Sequence, residues 1–482
     1  MQKLKIILTS LFISFSVSIW AQTTPAEQPM PKPTVWSLEA CVNYAYENNI
    51  QIKQGMLSVM NSEVNYDQSR WNQAPTLNGF VNHNYNYGRT IDPTSNTFVN
   101  RSIQSNNFQL STGVVLFNGF QLSNTVQQNK YAFLATQQDL EVTMNNIALN
   151  IANLYLQILF NAEALKISQS QIETSAKQVD RSQKLYDAGS IAETELLNLK
   201  AQLANDKYNF IVSQNNLDIA YVNLKNALQL GPIDSFEIVK PAFDSVPQFK
   251  DLNLAELYNS TVAERPEVRR ANMQLMSAEM GYKVAMGGRS PRISASGSVT
   301  TLYSSAREDI SLQPAGTTQI GVVEGSNTPV VAPNFERTAT PTPFSDQVNN
   351  NFGQSVGVSM SIPILNGGQV NASINRAKIQ VAQNELNVAQ AQNTYFVDLS
   401  NAYAQFKAAD AQYVAAQQNL EAQTLNLDAT TKSFEAGVIN TVDYQNALNS
   451  KLRAEAALLQ AKYELIFRAK IIDFYKGEPL KL

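Results

Sequence analysis

Cysteine and histidine are nearly absent from this 482-residue chain, which holds one of each, Cys41 and His83. A lone cysteine excludes an internal disulfide framework and a CxxC metal site. A lone histidine removes His-based catalytic triads, HExxH zinc sites and paired imidazole ligands together. Carboxylates are plentiful, but no catalytic motif surrounds them and most fall on polar helix faces. The reading is of a non-enzyme with no cofactor and no metal, although an exported hydrolase built on a glycosidase-like carboxylate pair stays open on spacing alone.

An excess of positive charge is missing too. Lys and Arg number 36 against 40 Asp and Glu, a net charge of −4. Lys3 and Lys5 precede an apolar run from Ile6 to Trp20, and Ala21 supplies a small residue for cleavage, so 1–21 reads as a secretory signal rather than a membrane span. Loss of those two lysines takes the mature chain to about −6, which makes nucleic acid an unsuitable partner. Leu38-Glu39-Ala40-Cys41 loosely resembles a lipobox, but Glu39 fits it poorly and the apolar run ends far upstream. Cys41 is therefore expected as a small buried residue on a helix face rather than a lipid anchor.

What the chain does have is a duplication. Asn118-Gly119 and Ala188-Gly189 recur as Asn366-Gly367 and Ala436-Gly437, and Leu38 and Pro75 recur as Leu254 and Pro291. The first two matches share one offset and the last two a shorter one, so the second copy carries an insertion between Pro291 and Asn366. The division that follows is a first repeat over 22–230, a linker over 231–253 and a second repeat over 254–482.

Glycine and proline are absent between Phe120 and Asp187. Leu140, Met144, Ile147, Ile151, Leu154 and Ile158 alternate steps of four and three there, the seam of a coiled coil. One helix over 120–187 is about 100 Å long at 1.5 Å per residue. Its echo over 370–435 carries Tyr395, Leu399, Ala402 and Phe406 in equivalent places. Each long helix ends at Ala-Gly, where glycine supplies the left-handed C′ conformation. Return helices follow over 191–229 and 441–476. Each is too short to cover its partner, and single early helices over 38–70 and 254–288 are of the right length to complete the job.

Between early and long helices the period changes to two. Leu77, Gly79 and Val81 alternate with Asn78, Phe80 and Asn82, and Val356, Val358 and Met360 alternate with Ser355, Gly357 and Ser359. These β-hairpins span 75–117 and 291–365. A half-buried soluble sheet shows the same alternation. Export, strand length, the tyrosines near one end and the small-polar second face favour a tilted transmembrane strand. Four such strands per chain leave bare edges that lipid does not tolerate. Several chains must share a barrel, and three give twelve strands with room for a passage. The connecting loops over 88–104 and 306–348, the latter holding the insertion, are expected at the cell exterior.

Leu38-Glu39-Ala40 with Asn48-Asn49, the joints Leu116-Phe117-Asn118-Gly119-Phe120 and Pro363-Ile364-Leu365-Asn366-Gly367-Gly368, and the tips Tyr186-Asp187-Ala188-Gly189 and Phe434-Glu435-Ala436-Gly437 resemble TolC-like outer membrane efflux proteins, the outer membrane factor family. The resemblance covers nearly everything after the signal. It implies a mixed α+β membrane protein of duplicated coiled-coil hairpins and four transmembrane strands per chain. Three chains then form a homotrimer with a 12-strand β-barrel in outer membrane lipid and a 12-helix α-barrel in the periplasm of a Gram-negative bacterium. It also implies a passive exit duct for efflux or type I secretion, joined to a periplasmic adaptor (membrane fusion) protein and an inner-membrane pump of RND or ABC type.

The same resemblance assigns site residues. Asp443 matches an acid of the constricted periplasmic mouth, while Asn446 stands where the family has a second aspartate and Ile439 where it sometimes has arginine. Thr194 and Glu195 stand where it often has Thr-Asp. The four gate candidates Asp443, Asn446, Thr194 and Glu195 are joined by adaptor-contact candidates at the tips: Ala188, Gly189, Ser190, Ala436, Gly437 and Val438. Helix-dipole acids are the competing account of Asp443 and Glu195. The competing account of the whole is an exported coiled-coil stalk or adhesin without a channel.

Overall fold

A computed structural model describes residues 35–231, 236–239, 253–326 and 328–478. The signal segment 1–21 and most of the linker lie outside the described residues. In chain order the elements are β1 (Val35–Trp36), α1 (Leu38–Asn48), α2 (Ile50–Trp71), β2 (Thr76–Asn86), β3 (Arg89–Ile91), β4 (Phe98–Asn100), β5 (Ile103–Phe117), α3 (Gln121–Asp187) and α4 (Glu193–Leu228). There follow β6 (Glu237–Ile238), α5 (Leu254–Thr261), α6 (Pro266–Gly287), β7 (Arg292–Ser304), β8 (Glu308–Val322), β9 (Pro329–Pro341), α7 (Phe344–Asn350), β10 (Gly353–Ser361), α8 (Gln369–Glu435) and α9 (Thr441–Tyr475).

The long helices α3 and α8 have 67 residues each. Helix α4 returns along the lower part of α3 and α9 along α8, while α2 and α6 flank the upper parts. The early helices differ from expectation, because each is broken. Asn49 turns extended with ψ 130°, its Oδ1 accepts from the Gln51 N–H at 2.8 Å as the N-cap of α2, and its Nδ2 donates to the Ala227 carbonyl at 3.3 Å. Proline causes the other break: Pro266 has no N–H to continue α5 and instead begins α6. Arg265, at that joint, lies buried against the rings of Tyr395, Phe474 and Tyr475 at 5.1–5.4 Å and pairs with Glu267 at 3.3 Å.

The main core sits where α1, α3 and α4 meet the small parallel pair β1–β6. Trp36, Ile52, Ile151, Tyr155 and Leu224 are almost fully buried there, and the Tyr155 hydroxyl donates to the Val239 carbonyl at 2.6 Å. Cys41 is in this core, where burial pushes its thiol up to about 12.

Four strands form one antiparallel sheet in the order β10-β7-β5-β2. Paired residues share a face, and the register therefore sorts side chains across all four strands. Val81, Phe108, Val299 and Val356 mark one apolar face; Asn82, Gln109, Ser298 and Ser355 mark a small-polar one. Val356 is 90% exposed in the isolated chain. Neither β2 nor β10 has a partner on its outer side among the described residues. His83 lies on β2 beside the Asn106 side chain.

The loop expected over 306–348 is largely ordered as a long two-stranded ribbon, β8–β9, followed by α7. Its root is clamped. Gln347, buried, bonds the backbone N–H and carbonyl of Ser304 and the Thr342 carbonyl, each at 2.9 Å, while Arg101 bridges to Glu308 at 3.0 Å. Asp92 is buried beside it; burial alone raises its carboxyl, but hydrogen bonds from Ser304, Ser95 and Thr94 outweigh that and hold it below the usual 3.8.

Strand meets long helix through two successive left-handed residues, Gly119 and Phe120 (φ 65° and 61°) in one repeat and Gly367 and Gly368 (φ 59° and 78°) in the other. A Cβ at Gly119 would meet the Gly287 carbonyl at 2.5 Å, whereas at Gly367 nothing lies within 4 Å. Gly367→Ala should therefore cost only the left-handed strain of about 1–2 kcal/mol, and Gly119→Ala distinctly more. Thermal melts of the helical circular dichroism signal test this, and equal shifts contradict it. A depressed carboxyl stabilises above its unfolded value and loses that contribution as pH falls below 3.8 through the folded value. Pepsin should nick the 89–101 loop of the wild type only in that acid window, but Asp92→Asn should be nicked at every pH at which pepsin acts.

Candidate functional site at the helical tips

Both long helices end in the same capping geometry. Gly189 (φ 73°) donates to Tyr186 at 2.8 Å and Ser190 to Leu185 at 2.8 Å; Gly437 (φ 71°) donates to Phe434 at 3.0 Å and Val438 to Ser433 at 2.9 Å. These are Schellman caps, which satisfy the last carbonyls of α3 and α8 and turn the chain back at once. Ala188, Gly189, Ser190, Ala436, Gly437 and Val438 are all exposed at these ends.

The return helices begin differently. In α9 the Asn440 Oδ1 accepts from the Asp443 N–H at 2.9 Å, an N-cap that also places the Asp443 carboxylate in the first turn, where the macrodipole favours it. In α4 the equivalent cap position is Ala192, with no side-chain bond, and Glu193 and Glu195 supply the acids.

The two tips touch. The Thr441 hydroxyl donates to the Glu195 carboxylate, and the Gln445 amide donates to the Gln178 carbonyl oxygen. Phe434 stacks on Tyr444 at 4.9 Å, and the Arg181 guanidinium lies over the Phe434 ring at 5.9 Å. Thr194, Glu195 and Asn446 line a cleft of about 390 Å³ between α4 and α9. Asp443 lies outside that cleft, exposed on the adjoining face of α9. Of the four mouth residues singled out from the sequence, three are thus brought together and Asp443 stands apart. Gln178, Arg181, Thr441, Tyr444 and Gln445 were not singled out. Their only sequence signal is a polar or aromatic residue close to a tip, which does not say what faces it.

No helix among the described residues is long and apolar enough to cross a membrane. The four-stranded sheet is the element with a membrane face, and the helices extend from one end of it to paired tips. Such a combination defines the class of outer membrane channels with a helical extension. The chain belongs to the outer membrane efflux protein family, whose model matches residues 41–229 and 257–469. It is an outer membrane protein with its helical part in the periplasm, not an enzyme.

Among its relatives, toxin and drug export protein A of Aggregatibacter actinomycetemcomitans is 24% identical over 437 residues, covering 89% of this chain and 83% of the relative. The crystal structure of CusC superposes with a TM-score of 0.74 at 17% identity, over 92% of each chain. The Campylobacter jejuni CmeC outer membrane channel gives 0.73 at 16%, over 92% of this chain and 86% of that one.

The unequal caps yield a test. Asn440→Ala should weaken the start of α9 by about 0.5–2 kcal/mol, and Ala192→Asn should strengthen the start of α4 by up to a similar amount. Hydrogen exchange of first-turn amides reads both; unchanged protection at Asp443 in Asn440→Ala contradicts the assigned cap.

Proposed function

We propose that three copies of this chain form one continuous exit duct, a twelve-strand barrel continued by a twelve-helix periplasmic tube. The unpaired edges of β2 and β10 on a sheet with a continuous apolar face carry this reading. In lipid every backbone polar group needs an internal partner, and β2 of one copy beside β10 of the next supplies it. Exposed apolar residues on the outer helices, such as Leu57, Met60 and Val64 of α2 and Ile379 and Leu386 of α8, point to the same neighbours. The Ser, Asn and Gln face then lines a wet passage, with the 88–104 and 306–348 segments at the cell exterior.

The duct is passive, so energy for efflux or type I secretion comes from an inner-membrane pump reached through a periplasmic adaptor. The exposed caps at Ala188–Ser190 and Ala436–Val438 are the adaptor contacts in this reading. Six hairpin ends around one axis offer a repeated surface to it.

At the mouth, Glu195–Thr441 and Gln178–Gln445 hold the two hairpins of one copy together. The glutamine pair leaves Gln178 Nε2 and Gln445 Oε1 buried without a partner, so closing it recovers little free energy and opening costs little. The gate in this reading is a set of weak polar contacts, with Thr194 and Asn446 beside them, instead of a salt-bridge lock. Asp443, exposed in triplicate, forms a negative ring that attracts cations.

Single-channel recording tests both parts. Asp443→Asn should shift the reversal potential in a salt gradient away from cation preference and weaken divalent block. An unaltered reversal potential and block would leave Asp443 a helix-dipole residue. Thr441→Val with Gln445→Leu should raise conductance severalfold at unchanged selectivity; unchanged conductance removes these contacts from the gate.

A further inference from the structure

The short helix α7 is held to the sheet at several points. Its Phe344 ring packs on Tyr303 at 5.1 Å and on Phe108 at 6.3 Å. The Thr301 hydroxyl donates to the Val348 carbonyl at 2.7 Å, and the Asn351 amide donates to the Leu302 carbonyl at 2.8 Å. Gln347 adds its clamp on the Ser304 backbone.

Register says which face this is. Phe108 is paired with Val81 and Thr301, and Asn106 with Tyr303, so the side chains that α7 touches stand on the face of Val299 and Val356. Helix α7 therefore covers the apolar side of the sheet, not the small-polar side. It begins over β5, passes over β7 and leads into β10, and all its contacts on β7 fall between Thr301 and Ser304. The helix thus crosses the strands at one level, at the end of the sheet away from α3 and α8.

The chemistry of the face changes at that same level. On the α3 side it carries Val81, Phe108, Leu110, Val299 and Val358; on the Tyr303 rung it carries Asn106 and His83, and on the next Gln104 and Tyr85. From Phe108 to Phe117 the apolar stretch runs about 30 Å along β5, or about 23 Å along the membrane normal at a tilt of about 40°. An outer-membrane barrel has an apolar band of about 25 Å. The outward side of α7 is unlike that band, because Ser345, Asp346 and Asn349 are exposed there and hydrocarbon offers them no partner. Phe344, 49% exposed, stands beside them, the aromatic residue expected where hydrocarbon gives way to headgroups. A second copy is a poor cover, since copies meet at the β2 and β10 edges while Phe344 lies over β5.

We propose that α7 lies in the plane of the outer-leaflet headgroups, with its polar side hydrogen-bonded to lipid headgroups, and so fixes the depth at which the sheet sits. The occupant is lipid, because the contact is continuous with the membrane face of the sheet, and the proposal rests on that reading of the face.

Spin labels in the full-length protein, reconstituted in phosphatidylcholine vesicles, test it. Ser345→Cys, Asn349→Cys, Val356→Cys and Thr317→Cys are labelled singly in a Cys41→Ala background, and depth is read from collisions with oxygen against those with a water-soluble nickel chelate. Both α7 labels should lie within about 5 Å of the lipid phosphate and at equal depth, with Val356→Cys near the bilayer centre and Thr317→Cys in water. The collar is overturned by α7 labels as open to the chelate as Thr317→Cys, as deep as Val356→Cys, or shielded from both reagents as under a protein cover. A depth difference equal to their spacing of about 6 Å along a helix axis overturns it as well. A Val356→Cys label open to the chelate and poor in oxygen contact overturns instead the membrane-face reading beneath it.

Discussion

An unpaired strand edge cannot face hydrocarbon, and most of this structure follows from that constraint. The sheet has one lipid-compatible face and one hydrophilic face, but only four strands with which to close. In the proposed duct a chain of this kind is incomplete alone. Its outer helices repeat the incompleteness, leaving aliphatic side chains bare along α2 and α8 where a compact domain would have buried them. The chain belongs to the outer membrane efflux protein family, and the register of β10, β7, β5 and β2 is what supports the proposed closure with further copies.

Duplication has left two hairpins with the same backbone and different chemistry. Both strand-to-helix joints use a left-handed pair, yet Gly119 is wedged against Gly287 while Gly367 stands in the open. Both return helices start after a Schellman cap, yet only α9 has a side-chain N-cap. The contacts that join the tips, Glu195 with Thr441 and Gln178 with Gln445, run between repeats, not between equivalent positions. Divergence of the copies is what makes such a heterologous contact available.

Long-period features were legible in the sequence, and local irregularities less so. The α3 seam is visible because Ile147, Ile151, Leu154 and Ile158 recur without glycine or proline, and strand faces are visible because Val356, Val358 and Met360 alternate with small polar residues. The break at Asn49 is not legible, since asparagine is tolerated inside a helix and the Ala227 carbonyl that its Nδ2 reaches is far away in sequence. Pro266 stands inside a segment whose helical pattern continues on both sides, so the pattern alone does not show that the helix restarts there. The β8–β9 ribbon reads as a loop in sequence because its prolines, threonines and glycines are turn formers; its strands show only in the pairing itself. At the tips, glycine marked the caps, but the partners of Glu195 and Gln178 lie more than 240 residues away in the chain.

The equal length of α3 and α8, 67 residues each between a left-handed joint and a Schellman cap, acts as a ruler. Both are anchored at the same sheet and their tips touch, so a residue inserted in one alone would shift its tip by about 1.5 Å and rotate every later side chain by about 100° relative to its twin. Drift in length is therefore penalised unless it occurs in both copies together and in steps of about seven residues that restore the seam. The reach of the helical part is in effect written twice in this polypeptide, and each writing proofreads the other.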